Sequence, residues 1–288
     1  MNARQGESRR KPVWLRKNIS LGETVAIKKS LRKNRLDTVC ESAKCPNIGE
    51  CFSRKTATIM ILGENCNRTC RFCGVEPGKL LPPDPDEPEN CANMVTELGL
   101  THAVITSVTR DDLPDGGAGH YVETLRAIRR KGRSVTIELL VPDFGGNEPS
   151  IRLILDERPD ILNHNIETVP SLYSEIRPQG DFERSLSLLK EVVRFNIPAK
   201  SGIMVGLGET ETELNETIGI LAEIGVSILT IGQYLPPSTK HAPVVEYYEE
   251  KRFDDLAHAA ESAGIEKVFS GPFVRSSYMA EMVAKDEI

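Results

Sequence analysis

The stretch Cys66-Asn-Arg-Thr-Cys70-Arg-Phe-Cys73 decides how the rest of the chain is read. Its cysteines are spaced C-x₃-C-x₂-C, close enough for the chain to fold back and aim three sulfurs at one metal centre. Soft thiolates suit an iron–sulfur cluster. A [4Fe–4S] cluster has four irons, so three cysteines leave one iron open to a substrate or cofactor. Zinc is the main competing reading, although structural zinc usually takes C-x₂-C pairs and no histidine lies close by in sequence. Three reduced structural cysteines are the bland alternative. Directly ahead, Thr58-Ile-Met-Ile-Leu62 is an apolar run ending at Gly63, which sets a strand before the cysteines.

Six of the seven cysteines fall into two triplets, 40/45/51 and 66/70/73, and only Cys91 stands apart. An odd count in two tight groups argues for metal ligation over disulfides. The segment Cys40-Glu-Ser-Ala-Lys-Cys45-Pro-Asn-Ile-Gly-Glu-Cys51 is spaced C-x₄-C-x₅-C, and the same coordination logic makes it a second three-thiolate cluster. Cys91 shares a helical face with Met94, Val95 and Leu98 and reads as a small buried hydrophobe.

From Thr56 onward short β-branched runs alternate with amphipathic helical periods. Strands are predicted at 57–62, 102–107, 135–141, 161–166, 200–205 and 227–232. Helix punctuation supports the pattern: Gly99 and Gly132 as C′ residues, Asp181 as an N-cap, and a Thr210/Glu213 capping box. A short basic helix is predicted over Glu23 to Leu31 and a last helix over roughly 251–263. Residues 82–88, with four prolines, read as a loop. Six βα units predict an α/β fold, a parallel barrel or part of one. Active sites of such folds lie at the C-terminal ends of the strands, where the Cys66 triplet falls. Three segments result: an N-terminal extension (1–55) holding the second triplet, the barrel (56–270), and a C-terminal segment (271–288).

A chain of 288 residues can bury a large core, and a charged fraction of 27% is ordinary. No apolar run approaches the length of a membrane span. Met1 to Lys17 is basic but has no apolar stretch of a secretory signal; it is short for a transit peptide and includes Glu7. The cytoplasm is the default. Residues 1–35 hold eleven Lys/Arg against Glu7 and Glu23, a local +9 that leaves −15 on the remainder. That segment reads either as a solvated basic tail or as a docking surface for an acidic partner.

The C-x₃-C-x₂-C spacing after a first strand resembles the motif of the radical S-adenosylmethionine (SAM) enzymes. The resemblance implies a partial (β/α)₆ barrel and an open iron that chelates the amino and carboxylate groups of SAM. SAM is then cleaved to methionine and a 5′-deoxyadenosyl radical, which abstracts hydrogen. With the upstream triplet, the chain is similar over nearly its whole length to the lipoyl synthase family. The matching stretches include Cys40-Glu-Ser-Ala-Lys-Cys45-Pro-Asn, Val108-Thr-Arg-Asp-Asp112, Asp115-Gly-Gly117, Val141-Pro-Asp-Phe144, Asn163-His-Asn-Ile-Glu-Thr168 and Gly271-Pro-Phe-Val-Arg-Ser-Ser-Tyr278.

That similarity implies sulfur insertion at C6 and C8 of an octanoyl chain carried on a lysine of a lipoyl-carrier protein domain. It implies two [4Fe–4S] clusters, the one on Cys40, Cys45 and Cys51 being sacrificed as sulfur source. The family's serine ligand carries over to Ser276 or Ser277, with Ser277 the expected one of the two. A hard alkoxide is a poor partner for iron in a sulfur-rich cluster, so it suits a cluster that must come apart. Without the resemblance, a Ser-Ser pair reads as a turn or cap. A low-potential electron donor of ferredoxin or flavodoxin type and an iron–sulfur carrier for repair are implied partners; no nucleic acid is. Arg110, Asp111 and Asp112 after the second strand, Asn163, Asn165 and Glu167 at the fourth, and Arg177 and Lys200 are read as the SAM and substrate shell. Each is equally readable as a surface ion pair or structural hydrogen bond, and His164 reads as core-packed. The rivals are a methylthiotransferase acting on tRNA, biotin synthase, and a non-enzymatic iron–sulfur carrier.

Overall fold

The strand runs of this chain are continuously apolar, which suits strands covered on both faces of a parallel sheet. The computed structural model describes residues 11–15, 24–43, 45, 47–54, 56, 58–132, 134–278 and 280. Among these, eight strands form one sheet in chain order: β1 (Asp37–Thr38), β2 (Thr58–Ile61), β3 (His102–Ser107), β4 (Thr136–Leu140), β5 (Ile161–Asn163), β6 (Ala199–Val205), β7 (Ile228–Gln233) and β8 (Lys267–Gly271). Strands β2 to β8 pair in parallel, and β1 is antiparallel to β2. The helices are α1 (Thr24–Lys33), α2 (Val39–Ser42), α3 (Ile48–Ser53), α4 (Glu87–Leu98), α5 (Ala118–Arg130), α6 (Glu148–Asp156), α7 (Tyr173–Ile176), α8 (Phe182–Arg194), α9 (Glu211–Ile224) and α10 (Glu250–Ser262). This is an α/β fold built as an open partial barrel, with its core where Ile59, Ile61, Ala103 and Ile105 meet helix residues such as Cys91, Met94 and Leu125.

Three details depart from the sequence reading. The 161–166 run supplies only Ile161–Asn163, because the chain leaves the sheet into a reversal where Glu167 takes φ 70°. Helix α4 starts at Glu87, inside the proline-rich stretch, with Pro88 in the first turn, where a missing N–H is harmless. Strand β8 was not anticipated: its five residues are half-buried at a sheet edge and carry no alternation.

At the end of β2, Leu62 and Gly63 both adopt positive φ (69° and 92°), a sharp reversal into the cysteine loop. The Leu62 amide donates to Glu87 (2.8 Å), while the Arg110 guanidinium donates to the Leu62 carbonyl (3.3 Å). Strand and turn together fix the direction in which the first triplet leaves the sheet.

Candidate active site

Both cysteine triplets line one cavity of about 460 Å³, together with Arg275, Ser276, Ser277 and Tyr278. Cys66 comes off the C-terminal end of β2. Cys40 follows β1, whose register (Thr38 opposite Ile59) sets it toward the other end of β2, and Thr58 and Met60 line the cavity between them. The Thr38 hydroxyl donates to the Thr58 carbonyl (2.7 Å) and accepts from the Cys40 amide (3.2 Å), pinning the start of the second triplet. The two cysteine loops meet backbone to backbone: a Cβ on Gly74 would lie 2.6 Å from the Ser42 carbonyl oxygen.

The C-terminal segment is tied onto the same wall. Asn47 Nδ2 donates to the Phe273 carbonyl (2.6 Å), and the Tyr278 hydroxyl donates to Glu50 (2.9 Å), so the loop of the second triplet grips Gly271–Tyr278 from both sides. On the sheet side, Gly232 allows the Val274 carbonyl to approach so closely that a Cβ would stand 2.1 Å from it. Ser276 Oγ accepts from Asn163 Nδ2 and donates to Asn165 Oδ1, both at 2.9 Å.

Arg68, inside the first cysteine loop, is buried and reaches Asp111 (2.7 and 2.8 Å) and the fully buried Asp143 (2.6 Å). Burial alone would raise the Asp143 carboxyl, but the Arg68 guanidinium outweighs it and holds the group below its ordinary value. A second tether comes from His241, whose Nε2 donates to the Cys73 carbonyl (2.9 Å). Burial pushes the Cys73 thiol up to about 12 and raises Cys70 as well, so any metal taken by these sulfurs would have to displace their protons. Among the described residues no three His, Cys, Asp or Glu side chains converge at the separation that one metal ion needs.

The anticipated shell divides. Asn165, Glu167 and Arg177 line the cavity. Burial raises the Glu167 carboxyl, Arg177 opposing it, and Asn165 Nδ2 donates to it at 3.2 Å. Arg177 donates to the Tyr173 hydroxyl (2.7 Å) and the Asn165 carbonyl (3.0 Å). The others point elsewhere: Arg110 is forked onto Asp112 (2.8 Å twice), Asp111 onto Arg68, and Lys200 onto the buried Glu138 (2.9 Å). Asn163 reaches the site only through Ser276. His164 is buried, as expected, but also lines the cavity: its Nδ1–H donates to the Val141 carbonyl (2.8 Å), and Nε2 has no partner among the described residues. Burial, with Arg177 nearby, lowers its pKa to about 4, so the ring is neutral and Nε2 is an acceptor.

Residues 60–221, which hold the first triplet and strands β3 to β6, match the radical SAM superfamily. Residues 1–45 match the N-terminal domain of lipoyl synthase. The lipoyl synthase of Alkaliphilus metalliredigens is 51% identical over 283 residues, covering 97% of this chain and 98% of the relative. The chain belongs to the lipoyl synthase family. The lipoyl synthase of Caldanaerobacter subterraneus subsp. tengcongensis is 50% identical over 275 residues, covering 95% and 96% of the two chains. Among solved structures, Streptococcus suis SuiB bound to S-adenosylmethionine shares the fold, with a TM-score of 0.58 at 10% identity over 77% of this chain and 53% of that one. Membership makes the chain a radical SAM enzyme, and the family uses SAM and a [4Fe–4S] cluster. No helix among the described residues is long and apolar enough to cross a membrane.

Proposed function

We propose that this enzyme inserts two sulfur atoms, at C6 and C8 of an octanoyl chain on a lipoyl-carrier domain, using two [4Fe–4S] clusters. The observation that carries the reading is one cavity lined by both triplets and by the Arg275-Ser276-Ser277-Tyr278 segment. The donor set fits: two groups of three thiolates leave each cluster one position, for SAM at the Cys66, Cys70, Cys73 group and for a serine at the Cys40, Cys45, Cys51 group. When bound, the clusters supply the electron that cleaves SAM and the sulfur that is transferred. Ser276 spends its hydroxyl on Asn163 and Asn165, which favours Ser277 as the serine ligand. Asn165, Glu167, Arg177 and the acceptor nitrogen of His164 offer polar positions for SAM. Val39, Met60, Val75 and Leu140 offer an apolar stretch for an aliphatic chain.

The carrier domain docks, on this reading, against the exposed side of α1. Lys28 pairs with Glu41 and Lys33 with Glu97 (3.2 Å each), while Lys29 and Arg32 stand exposed. Arg4, Arg9, Arg10, Arg16 and Lys17 of the basic segment lie outside the described residues. The reaction draws on a low-potential donor and on an iron–sulfur carrier that rebuilds the second cluster. Six free thiols grouped for metal favour a reducing compartment, on this reading the cytoplasm.

Triplet replacement tests the assignment. Changing Cys66, Cys70 and Cys73 to alanine should lower iron from about eight to about four per chain and abolish SAM cleavage. Changing Cys40, Cys45 and Cys51 should lower iron equally but leave 5′-deoxyadenosine formation and stop sulfur insertion. Lipoyl product from the second variant would contradict the assignment.

A further inference from the structure

We infer that Glu138 is a positioning residue for the serine ligand of the second cluster, acting through Asn163 and Ser276; this rests on the two-cluster reading above. Glu138 lies in β4 with no exposed surface. Its carboxyl receives Lys200 Nζ (2.9 Å), Asn163 Nδ2 (2.9 Å) and His102 Nε2 (3.2 Å). None of these four residues lines the cavity. Their position behind its wall, and not in it, is what separates this group from the site already described.

One charge assigns every hydrogen in the chain that follows. Burial opposes ionisation of Glu138, but Lys200 and His102 overcome it and hold the carboxyl down to about 2. An ionised carboxylate only accepts, so the Asn163 amide must turn its nitrogen toward Glu138. The second hydrogen of that nitrogen then goes to Ser276 Oγ (2.9 Å). Ser276, having accepted there, gives its own proton to Asn165 Oδ1 (2.9 Å). Asn165, turned by that bond, donates from Nδ2 to Glu167 (3.2 Å). The orientation carries a cost: Asn163 Oδ1 is buried and has no partner among the described residues. An amide flip would relieve nothing, because it would set oxygen against oxygen at Glu138.

The consequence falls on the neighbouring residue. With both hydroxyl roles used, Ser276 is fixed, and Ser277 follows it on the wall of the cavity that Cys40, Cys45 and Cys51 also line. Charge-assisted bonds such as the one at Glu138 are the stronger kind and set direction as well as distance. The strain-free alternative, in which Glu138 and Lys200 form only a structural ion pair, gives no reason for the link from Asn163 to Ser276.

The test uses anaerobically reconstituted enzyme carrying Glu138→Met, and separately Ser276→Ala, which cuts the same chain without exposing the Lys200 charge. Mössbauer spectra should show the second cluster altered or depleted and the first unchanged in both variants. Sulfur insertion should fall roughly tenfold or more, and by a clearly larger factor than 5′-deoxyadenosine formation, which feels the change only through the Ser276–Asn165 bond. Unchanged second-cluster spectra and sulfur transfer would overturn the proposal, as would a parallel loss of both clusters and both activities, the mark of a merely structural pair. If Glu138→Met does not fold, normal sulfur transfer by Ser276→Ala overturns it alone. Failure of the two-cluster reading would show separately, as a single cluster in the unaltered enzyme.

Discussion

His164 shows how much one side chain can depend on where its strand ends. Sequence alone makes it a core histidine between two asparagines, and burial bears that out. What the sequence does not carry is that the same ring faces the cavity, because β5 stops at Asn163 and the chain turns at Glu167. Its pKa falls from the ordinary 6.5 to about 4. Between those values the unfolded chain binds a proton that the folded one refuses, so stability rises with pH across the window and is lost on acidification. Acidifying from pH 7 to pH 5 should cost roughly 2 kcal/mol through this group. A His164→Gln variant should show a flatter pH dependence in urea unfolding over that range. Equal slopes in both proteins would remove the assignment of a neutral buried ring. The polar shell was the least legible part at this scale. Arg110, Asp111 and Asp112 are the residue types that bind SAM, but their charges are already spent on Asp112 and Arg68. For Asp111 only a partner distant in sequence reveals that, and Arg68, Asp143 and Glu138 gave no local signal.

Among the elements, the most informative is the contact between the two cysteine loops. Both spacings read from the sequence as proposed metal-ligand sets, because ligand geometry would force close intervals within each loop. That the loops touch was not legible, since it depends on β1 joining β2 antiparallel and on a glycine at the crossing. A Gly74→Ala change would put Cβ 2.6 Å from the Ser42 carbonyl, and backbone there can only move away. We expect a loss of roughly 1–3 kcal/mol in stability, from overpacking, together with a drop in sulfur insertion larger than any drop in SAM cleavage. Equal reduction of the two activities would mean that the contact sets overall stability and not the approach of the loops. The helices were read well by contrast, since capping and period are local: the Thr210/Glu213 box and the Asp181 N-cap both form. Strand β8 escaped because a short, half-buried edge strand has no period to read.

For the whole molecule, the strand–helix alternation was enough to predict a parallel α/β fold, because βα units leave few other arrangements. Charge distribution was less decisive. The net +9 over residues 1–35 includes Lys28 and Lys33, which the fold pairs with Glu41 and Glu97, leaving Lys29 and Arg32 as exposed cations of α1 with no ion pair among the described residues. Changing Lys29 and Arg32 to glutamate should raise KM for an octanoylated carrier domain roughly tenfold at low salt and reduce its salt dependence, with kcat little changed. A short octanoyl-lysine peptide should be nearly unaffected. If both substrates lose equally, the helix supports the second cluster instead of the partner.

The central claim is that the cluster on Cys40, Cys45 and Cys51 is the sulfur source. The most direct measurement is to rebuild the clusters with isotopically heavy sulfide, allow turnover with SAM and a chemical reductant, and weigh the octanoylated carrier product by mass spectrometry. The account predicts product carrying two heavy sulfurs, at no more than about one lipoyl group per chain. Product with light sulfur, or many product molecules per chain without cluster repair, would contradict it.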